Sequence, residues 1–392
     1  MTVSHLAHTS AHLLEPATIA RLRAELPSTT SVTYLNGGTL GPIPRAATAA
    51  MRDELDRQAN FRQAPGVWDA LSRAQARARQ VTGRLVGLRP DQIALMHATH
   101  EGINTALWAL DILPGDSIVT TDQEHPGVLV PLHVQAERRG SVTRTAAWHG
   151  ELDVIDAIVN LIDNTTIAVV VSHVSWTTGA IIDLAALRAA VGPAMRIIID
   201  GAQGAGVVPV NAQRDGWDAY TVSGQKWTLG PHGTGALALV LPERWLATCC
   251  SMSAIMNPCA PNSTTCVSSA PRFEQAQEAA LPLLGYGISA SVVVDDIGVD
   301  AIFGHVRALA QLLRAGLAAF DGWVTMGEAH LVCVDVAVGT APAIVAALFA
   351  QGIQIRNLGD SRIRISLGFW NTPEEVTVVL AALAAWRASQ PH

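Results

Sequence analysis

Charged side chains are scarce in this chain. Of its 392 residues, 15% are Asp, Glu, Lys or Arg, 49% are hydrophobic, and the formal net charge is −7. This composition excludes an intrinsically disordered chain and is typical of a compact globular protein, long enough for two or three domains. Lys and Arg form no cluster, so we expect no nucleic-acid partner.

Cysteine is rare too, and the five residues, Cys249, Cys250, Cys259, Cys266 and Cys333, follow no spacing of a zinc site or a disulfide framework. We interpret them as buried or loop thiols of a cytoplasmic protein and expect no metal. The N-terminus lacks the basic and then apolar segments of a signal peptide. The chain also lacks a G-x-G-x-x-G turn after its first predicted strand, which argues against a Rossmann-type dehydrogenase.

One uncharged stretch, residues 336–355, has roughly the length of a membrane span. Glycine, proline and glutamine residues interrupt it, and Asp335 and Arg356 flank it. It predicts a strand, a turn, a buried helix and a second strand in a small α/β domain. We therefore expect a soluble protein with no membrane partner.

Apolar segments typical of strands alternate with segments of helical periodicity in the middle of the chain. The predicted strands are Ile93–Met96, Ser117–Thr121, Ile167–Ser172, Arg196–Asp200, Ala219–Ser223 and Ala236–Leu241. The predicted helices are Gly102–Leu110, Gly127–Arg138, Leu152–Asn160 and Leu184–Val191. This alternation predicts an α/β protein with a mostly parallel sheet covered by helices on both faces. In such sheets ligands bind at the carboxyl ends of the strands.

The pattern changes near residue 285 and predicts a smaller C-terminal α/β domain. Its predicted helices cover 289–318, 342–350 and 373–387, and its predicted strands cover 330–336, 353–356 and 362–367. We expect an N-terminal segment that packs on the small domain, then a large domain, then the small domain, over residues 1–45, 46–284 and 285–392. Residues 249–270 are rich in Ser, Thr, Cys, Pro and Asn and predict a loop excursion.

Lys226 lies among Ser, Gly and Gln residues after a predicted strand, 26 positions beyond Asp200, which ends another strand. A lysine in such a turn can form a Schiff base with an aldehyde cofactor, and the carboxylate can keep a pyridinium nitrogen protonated. The alternatives are a solvated surface lysine and a carboxylate that caps a helix. The two glycine-rich turns favour the first interpretation and predict an enzyme that uses pyridoxal phosphate (PLP).

Other polar side chains follow the ends of neighbouring predicted strands. Thr99 and His100 open a helix, whose free backbone amides suit a phosphate group, although capping by Thr99 is an equal alternative. His125 could stack on a planar cofactor ring or could be an ordinary loop residue. Gln203 could donate to a ring oxygen or complete a capping box, and Ser223 is a candidate phosphate donor.

Arg362 and Arg364 lie two residues apart on one predicted strand and therefore on the same face of it. An arginine fork can bind a substrate carboxylate through two parallel hydrogen bonds. The alternative is a pair of surface arginines on an edge strand.

Taken together, these residues resemble the class V aminotransferase family of fold-type I PLP enzymes, which includes cysteine desulfurases, isopenicillin N epimerase-like proteins and several C–S lyases. The motifs that carry the resemblance occur in family order: Y-L-N-G-G-T-L-G-P-I-P (34–44), T-H-E-G-I-N (99–104), E-H-P-G (124–127), D-G-A-Q (200–203), S-G-Q-K-W (223–227), R-F-E (272–274) and R-I-S-L-G-F-W-N-T-P-E-E-V (364–376). The resemblance implies a homodimer in which a loop of the second subunit completes each active site.

Carried over by position, the resemblance implies a role for each matching residue. It assigns catalysis to Lys226 and His125, cofactor binding also to Thr99, His100, Asp200, Gln203, Ser223 and Gln225, and amino-acid substrate binding to Asn36, Gly37 and Arg364. Trp176 and Arg356 are further candidates for substrate binding that the family pattern does not supply.

The chain departs from the desulfurase pattern at three places. Desulfurases carry a nucleophilic cysteine on a loop whose counterpart here, residues 355–362, is short and has none, while Cys333 falls on a predicted buried strand. Trp176 replaces an asparagine and is expected to form a wall of the substrate pocket. R-F-E at 272–274 is not followed by Gly-Thr, the family's contact to the phosphate of the neighbouring subunit.

These departures disfavour a cysteine desulfurase. We expect β-elimination from a cysteine S-conjugate by a C–S lyase of specialised metabolism, as in lincosamide-type antibiotic pathways of high-GC bacteria, with Lys226 as the base at Cα. The alternatives are an epimerase, with His100, His125 or His232 as a second base, an aminotransferase, and decarboxylation or oxidative deamination of the conjugate. A PLP-binding protein without catalysis is a further alternative, against which the three residues Lys226, Asp200 and Arg364 argue.

Overall fold

The computed structural model describes residues 12–61, 66–149, 151–248, 251, 254–256, 265–275 and 279–390. Helices and strands alternate along this part of the chain, which confirms the predicted α/β class. The α-helices are α1 (Pro16–Ala24), α2 (Ser28–Ser31), α3 (Arg45–Asn60), α4 (Val67–Val86), α5 (Thr99–Trp108), α6 (Pro126–Arg139), α7 (Val154–Val159), α8 (Leu184–Val191), α9 (Ala212–Asp215), α10 (Ala280–Ser291), α11 (Val299–Leu317), α12 (Ala341–Phe349) and α13 (Pro373–Ala388).

The large sheet has seven strands in the order β2-β8-β7-β6-β5-β3-β4. They are β2 (Ile93–Met96), β3 (Ser117–Thr121), β4 (Val142–Ala146), β5 (Thr166–Ser172), β6 (Arg196–Asp200), β7 (Ala219–Ser223) and β8 (Gly235–Leu239). Only β8 runs antiparallel to its neighbours. It follows β7 after eleven residues, 224–234, a connection without the helix that a parallel crossover needs.

The central strands are buried on both faces, which explains their continuous apolar runs. Along β5, Val169 and Val171 belong to one core and Ala168 and Val170 to the other, and Ile198 of β6 joins the second core. A buried sheet between two layers leaves its strand ends as the place where polar side chains can gather. Asp200 ends β6 at this edge and is itself buried.

A second, antiparallel sheet lies in the C-terminal part, in the order β12-β13-β10-β9, and a two-stranded parallel sheet joins β1 to β11. Their bounds are β1 (Thr33–Tyr34), β9 (Val324–Met326), β10 (Leu331–Asp335), β11 (Ile353–Gln354), β12 (Arg356–Leu358) and β13 (Arg362–Ser366). Through β1 the N-terminal segment lies against the small sheet. The division into three parts stays a prediction.

The predicted helix over 289–318 is wrong in one respect, because it consists of more than one element. Helix α10 is followed by a π-helical turn, Val292–Ile297, and by Gly298, whose φ of 89° breaks the helix before α11. Helix α10 packs on α3 and α4 of the large part, so the boundary predicted after residue 284 falls inside a helix.

Two hydrophobic stretches differ in their structure. Residues 336–355 contain a turn, α12 and β11, as predicted. One helical stretch, Ala280–Ile297, has the length and hydropathy of a membrane span, which core helices can also have.

Strand β4 was not predicted, because it lies at the sheet edge and Val142, Thr143 and Thr145 of it are exposed.

Candidate functional site

A cavity of about 240 Å³ lies at the carboxyl ends of the strands of the large sheet. The turns after β2, β3, β5, β6 and β7 form one side of it, and β12, β13 and the loop after β1 form the other. The predicted site residues that line this cavity are Thr99, His100, His125, Trp176, Asp200, Gln203, Ser223, Gln225, Lys226, Arg356 and Arg364. Parallel strands end at the same edge of a sheet, so side chains far apart in sequence meet here.

Asn36 and Gly37 are not brought to the cavity wall, which Gly38 and Thr39 form instead. Gly37 is packed against the indole of Trp227, since a Cβ on it would lie 2.9 Å from that ring. Asn36 holds a residue of the cavity wall in place, because its Oδ1 accepts a hydrogen bond from the Thr39 hydroxyl at 2.7 Å. Asn36 and Gly37 therefore lie behind Gly38 and Thr39 relative to this cavity, and their contact with substrate stays a prediction.

Lys226 reaches the cavity from the turn after β7. Burial lowers the pKa of its amine to about 8, Asp200 opposes this shift, and Arg364 and Arg356 add to it. Near neutral pH a fraction of the amine is thus uncharged, as attack on an aldehyde requires. Gly41 packs on this turn: its N–H donates to the Gln225 carbonyl at 2.8 Å, and a Cβ on it would clash with the Lys226 carbonyl.

The carboxylate of Asp200 is held by the turn that follows β6. Its Oδ1 accepts from the Ala202 N–H at 2.9 Å and from the Thr221 hydroxyl at 3.5 Å. Among the described residues no hydrogen bond reaches Oδ2, so this oxygen can accept from a ligand. A buried carboxylate with one unused oxygen suits a protonated ring nitrogen.

Gln203 is fixed by two buried hydrogen bonds. Its Nε2 donates to the Gly38 carbonyl at 2.9 Å, and its Oε1 accepts from Trp227 Nε1 at 2.9 Å. An amide NH₂ group carries two hydrogens, so one donor remains for a ligand oxygen. The predicted capping box does not form, because no helix begins at Asp200.

The His125 ring is oriented by the first turn of α6. As the N-cap of this helix, its Nδ1 accepts from the Gly127 N–H at 3.0 Å, which places the ring proton on Nε2. The ring meets Trp176 edge-on, with centroids 5.1 Å apart. Burial and the nearby Lys226 lower the His125 pKa, so the ring is neutral at neutral pH.

The end of the cavity opposite β13 offers donors for an anion. Thr99 is the first residue of α5, and Ala98 is the N-cap without a side-chain hydrogen bond, so the capping alternative for Thr99 is wrong. The first amides of this helix are free for a ligand. Ser223 donates to Gln225 Oε1 at 2.9 Å in the adjoining turn, and both side chains line the cavity.

Two arginines reach the cavity from the small sheet. Arg364 is fully buried, donating to the Trp176 carbonyl at 3.1 Å and to Thr39 Oγ1 at 3.2 Å, while its Nε has no partner among the described residues. Burial lowers its pKa to about 10, which leaves it charged at neutral pH. Arg356 donates to the same Thr39 hydroxyl at 3.3 Å. Both guanidinium groups keep donors for a carboxylate.

Arg362 shares the face of Arg364 but does not reach this cavity. Strand β10 places Asp335 opposite Arg362 and Cys333 opposite Arg364. Arg362 therefore forms an ion pair with Asp335, with contacts of 2.5 and 3.0 Å. Of the two predicted candidates, Arg364 is the one that has no carboxylate partner among the residues that the structure describes. His232, a candidate second base, is exposed and is not part of the cavity wall.

Three residues that the sequence did not single out support the site. Besides Thr39, the buried Glu124 ties β3 to β5: its carboxylate accepts from the Thr121 hydroxyl at 2.6 Å and from the Ser172 N–H and hydroxyl at 3.1 and 2.6 Å. Burial raises the Glu124 pKa to about 7. Ser172 lines the cavity, and its Cα partner on β6 is Asp200. The position of Glu124 directly before His125 was the available signal.

Cys333 is buried on β10, as predicted, and burial raises the pKa of its thiol to about 12. Such a thiol is inert as a nucleophile at neutral pH. Of the other cysteines, Cys266 is half-buried, and Cys249, Cys250 and Cys259 lie outside the described residues, together with most of the predicted loop excursion.

The R-F-E segment is built into the large part. Glu274 accepts from the Leu95 N–H at 2.8 Å and pairs with Arg79 at 2.6 Å. Arg272 donates to the Pro242 carbonyl at 2.5 Å. Of the two positions directly after R-F-E, where the family has its phosphate contact to a second subunit, Gln275 is described and residue 276 lies outside the described part of the chain.

Two fully buried histidines behind the site predict sensitivity to acid. Burial lowers the pKa of His330, packed edge-on against Trp227, to about 3 and that of His173 to about 4, both from 6.5. Below pH 6.5 the unfolded chain binds protons that the folded chain cannot, so the free energy of unfolding should fall as the pH drops from 6.5 toward 4. The expected slope is up to about 1.4 kcal/mol per pH unit for each histidine.

Urea unfolding of the His330→Phe variant at several pH values checks this expectation. Between pH 6.5 and 4 the slope of the variant should be smaller than that of the native protein by up to about 1.4 kcal/mol per pH unit, whereas His149→Asn, at an exposed position, should keep the native slope. An unchanged slope in His330→Phe would show that His330 is protonated in the folded protein.

The donor set of the cavity fits PLP. Asp200 Oδ2 suits the pyridinium nitrogen, the free Gln203 hydrogen suits the phenolic oxygen, and the amides at the start of α5 suit the phosphate. Lys226, with its lowered pKa, suits the aldehyde. The fit rests on groups that keep unused donors or acceptors in this structure. The individual roles of these residues stay predictions.

Comparisons with known proteins agree with this fit. The family model for aminotransferase class-V matches residues 33–379. A probable cysteine desulfurase of Methanothermobacter thermautotrophicus is 29% identical over 220 residues, 55% of each chain, so this chain spans about half the length of that relative. A cysteine desulfurase of Yersinia pseudotuberculosis is 27% identical over 347 residues, 80% of this chain and 82% of the relative.

Solved structures show the same fold. The cystine C-S lyase C-DES, in complex with its reaction product cysteine persulfide, is 25% identical with a TM-score of 0.86 over 92% of this chain and 99% of that one. The cysteine desulfurase CsdA from Escherichia coli is 21% identical with a TM-score of 0.84 over 96% of this chain and 99% of that one.

Proposed function

Because the chain belongs to the class V aminotransferase family and is a PLP-dependent enzyme close to cysteine desulfurases and the C-S lyase C-DES, we propose that it is a C–S lyase that releases a thiol from a cysteine S-conjugate. The observation that carries this proposal is the β12–β13 hairpin. Its residues 356–362 contain no cysteine and form a cavity wall, so no thiol stands there to accept a persulfide. The buried Cys333 cannot replace it.

The chain's own residues divide the work as follows. Arg364 binds the α-carboxylate of the amino acid and thereby fixes the orientation of Cα. Lys226, with a pKa of about 8, removes the proton from Cα. PLP supplies, when bound, the electron sink for the charge that this removal leaves. Trp176 and the neutral His125 ring, in edge-on contact, form one wall of the cavity in which the substrate would lie.

The proposed reaction is a β-elimination followed by hydrolysis. The proton leaves Cα, the Cβ–S bond breaks, and its electron pair departs with the sulfur, which is released as a thiol. The remaining aminoacrylate takes up water and yields pyruvate and ammonia. We also propose a homodimer, as in the family; the exposed Leu55 and Phe61 at the end of α3 offer apolar surface for it.

Mass spectrometry of reactions in D₂O tests the function. The purified protein with PLP and a panel of S-substituted cysteines should release free thiol and pyruvate in equal amounts. Recovered amino acid with deuterium at Cα and no thiol would contradict the lyase and favour epimerisation, for which His100 and His125 lie at the cavity. A pyruvate-free reaction that forms a keto acid would favour transamination.

A further inference from the structure

A second cavity adjoins the site on the side of the β12–β13 hairpin. Its volume is about 310 Å³, and its walls are residues 356–362 except Asp360, together with Trp176 and Thr177. Trp176 and Arg356 line both cavities. A ligand whose α-carboxylate lies at Arg364 can therefore extend past Arg356 into this space.

The hairpin leaves this space open because it is short. Only residues 359–361 connect β12 to β13, and Gly359, with a φ of 69°, makes the turn. The turn is tied to itself, since Asn357 Nδ2 donates to the Gly359 carbonyl at 2.8 Å. A longer loop at this place would cover the space between the hairpin and Trp176.

The charges on the walls are unequal. Arg362 is neutralised, because its guanidinium binds Asp335 at 2.5 and 3.0 Å. Arg356 has a hydroxyl as its partner, Thr39 Oγ1, and among the described residues no carboxylate lies within salt-bridge distance of it. A half-buried, uncompensated cation therefore stands at the junction of the two cavities.

Arg364 is a second cation beside Arg356, and the repulsion between the two guanidinium groups is unfavourable unless an anion binds to each of them. Arg356 is the Cα partner of Arg364 across the strand pair, and both donate to the same Thr39 hydroxyl. Like charges side by side repel each other. One carboxylate on Arg364 leaves Arg356 uncompensated, whereas a ligand with two anionic groups compensates both.

We propose that the second cavity binds the sulfur-side substituent of the substrate and that Arg356 pairs with a carboxylate on that substituent. This inference rests on the proposed C–S lyase function. It narrows the substrate class to cysteine S-conjugates whose sulfur-side substituent carries a carboxylate, so that the released thiol carries this carboxylate too. Arg356 is then a specificity-determining residue, whereas Arg364 holds the carboxylate that every amino acid has.

The test compares two ligands of equal size on the holoenzyme, S-(2-carboxyethyl)cysteine and its neutral analogue S-(2-carbamoylethyl)cysteine. Affinity is measured by calorimetry, and thiol release is measured separately. The native protein should bind the carboxylate ligand roughly 10- to 100-fold more tightly, as a charge-assisted pair in a partly desolvated site predicts. Arg356→Gln should bind both ligands equally. Arg362→Gln, the matched control on the same cavity, should keep the preference.

Equal affinity of the native protein for both ligands, or a preference that survives in Arg356→Gln, would overturn the assignment. If Arg356→Gln does not fold, Arg356→Lys serves, because it keeps the charge and should keep part of the preference. Preferential binding without thiol release would overturn the lyase function and leave the anion subsite standing. Thiol release from both ligands, bound with equal affinity, would support the lyase function and overturn the anion subsite.

Discussion

The Lys226→Ala variant is expected to bind PLP without a covalent link and to lose thiol release by roughly 10²- to 10⁴-fold or more. The reason is that Lys226 is both the amine that attaches the aldehyde and the base that takes the Cα proton. Lys226 is also the single lysine of the chain, since the other 25 of its 26 basic residues are arginines. Borohydride reduction followed by peptide mapping should therefore find a phosphopyridoxyl group on the Lys226 peptide of the native protein and on no side chain of the variant.

The matched control is Lys226→Arg, which keeps the positive charge and cannot form the link. It should be as inactive as the alanine variant, which separates loss of the amine from loss of charge. Attachment of PLP to the native apo-protein should become faster as the pH rises through about 8, because only the neutral amine attacks. Colour from linked PLP together with turnover in Lys226→Ala would move the attachment point away from this residue.

Buried strands were predictable from the sequence, and exposed ones were not. The run Ile197–Ile199 and its terminal Asp200 show both the strand and its functional end, because a charge at the end of an apolar run needs a reason. Strand β4 lies at the edge of the sheet, and three of its five residues are polar, so it has no continuous apolar run that would predict a strand. The order of strands in the sheet depends on long-range pairing that no local pattern contains.

The same distinction holds for the candidate site. Lys226 and the residues at strand ends could be predicted because the ends of parallel strands converge. Thr39 could not, since its contact with Arg364 joins residues 325 positions apart. Periodicity placed Arg362 and Arg364 on one face but could not tell them apart, because the difference arises from the register of β10, which sets Asp335 opposite Arg362.

The Arg364→Ala variant is expected to weaken binding of the amino-acid substrate by roughly 2–5 kcal/mol, about 30-fold to several thousand-fold in Kd. Arg364 is fully buried and charged, and its Nε has no hydrogen-bond partner among the described residues. A bound carboxylate can therefore accept hydrogen bonds from a guanidinium group that is shielded from water, which makes the pairing strong. Truncation removes that fork and leaves the substrate carboxylate without a partner. Arg364→Lys should recover only part of the loss, because an ammonium is a point charge and cannot form two parallel hydrogen bonds.

Arg362→Ala is the control for this result. It removes an arginine of the same strand and face, but one whose charge Asp335 already neutralises, so the substrate Kd should change by less than about threefold. Calorimetric titration and thermal unfolding of each variant separate lost binding from lost folding. If Arg364→Ala unfolds normally and binds as the native protein does, the α-carboxylate lies at Arg356, and the anion subsite would then need another cation.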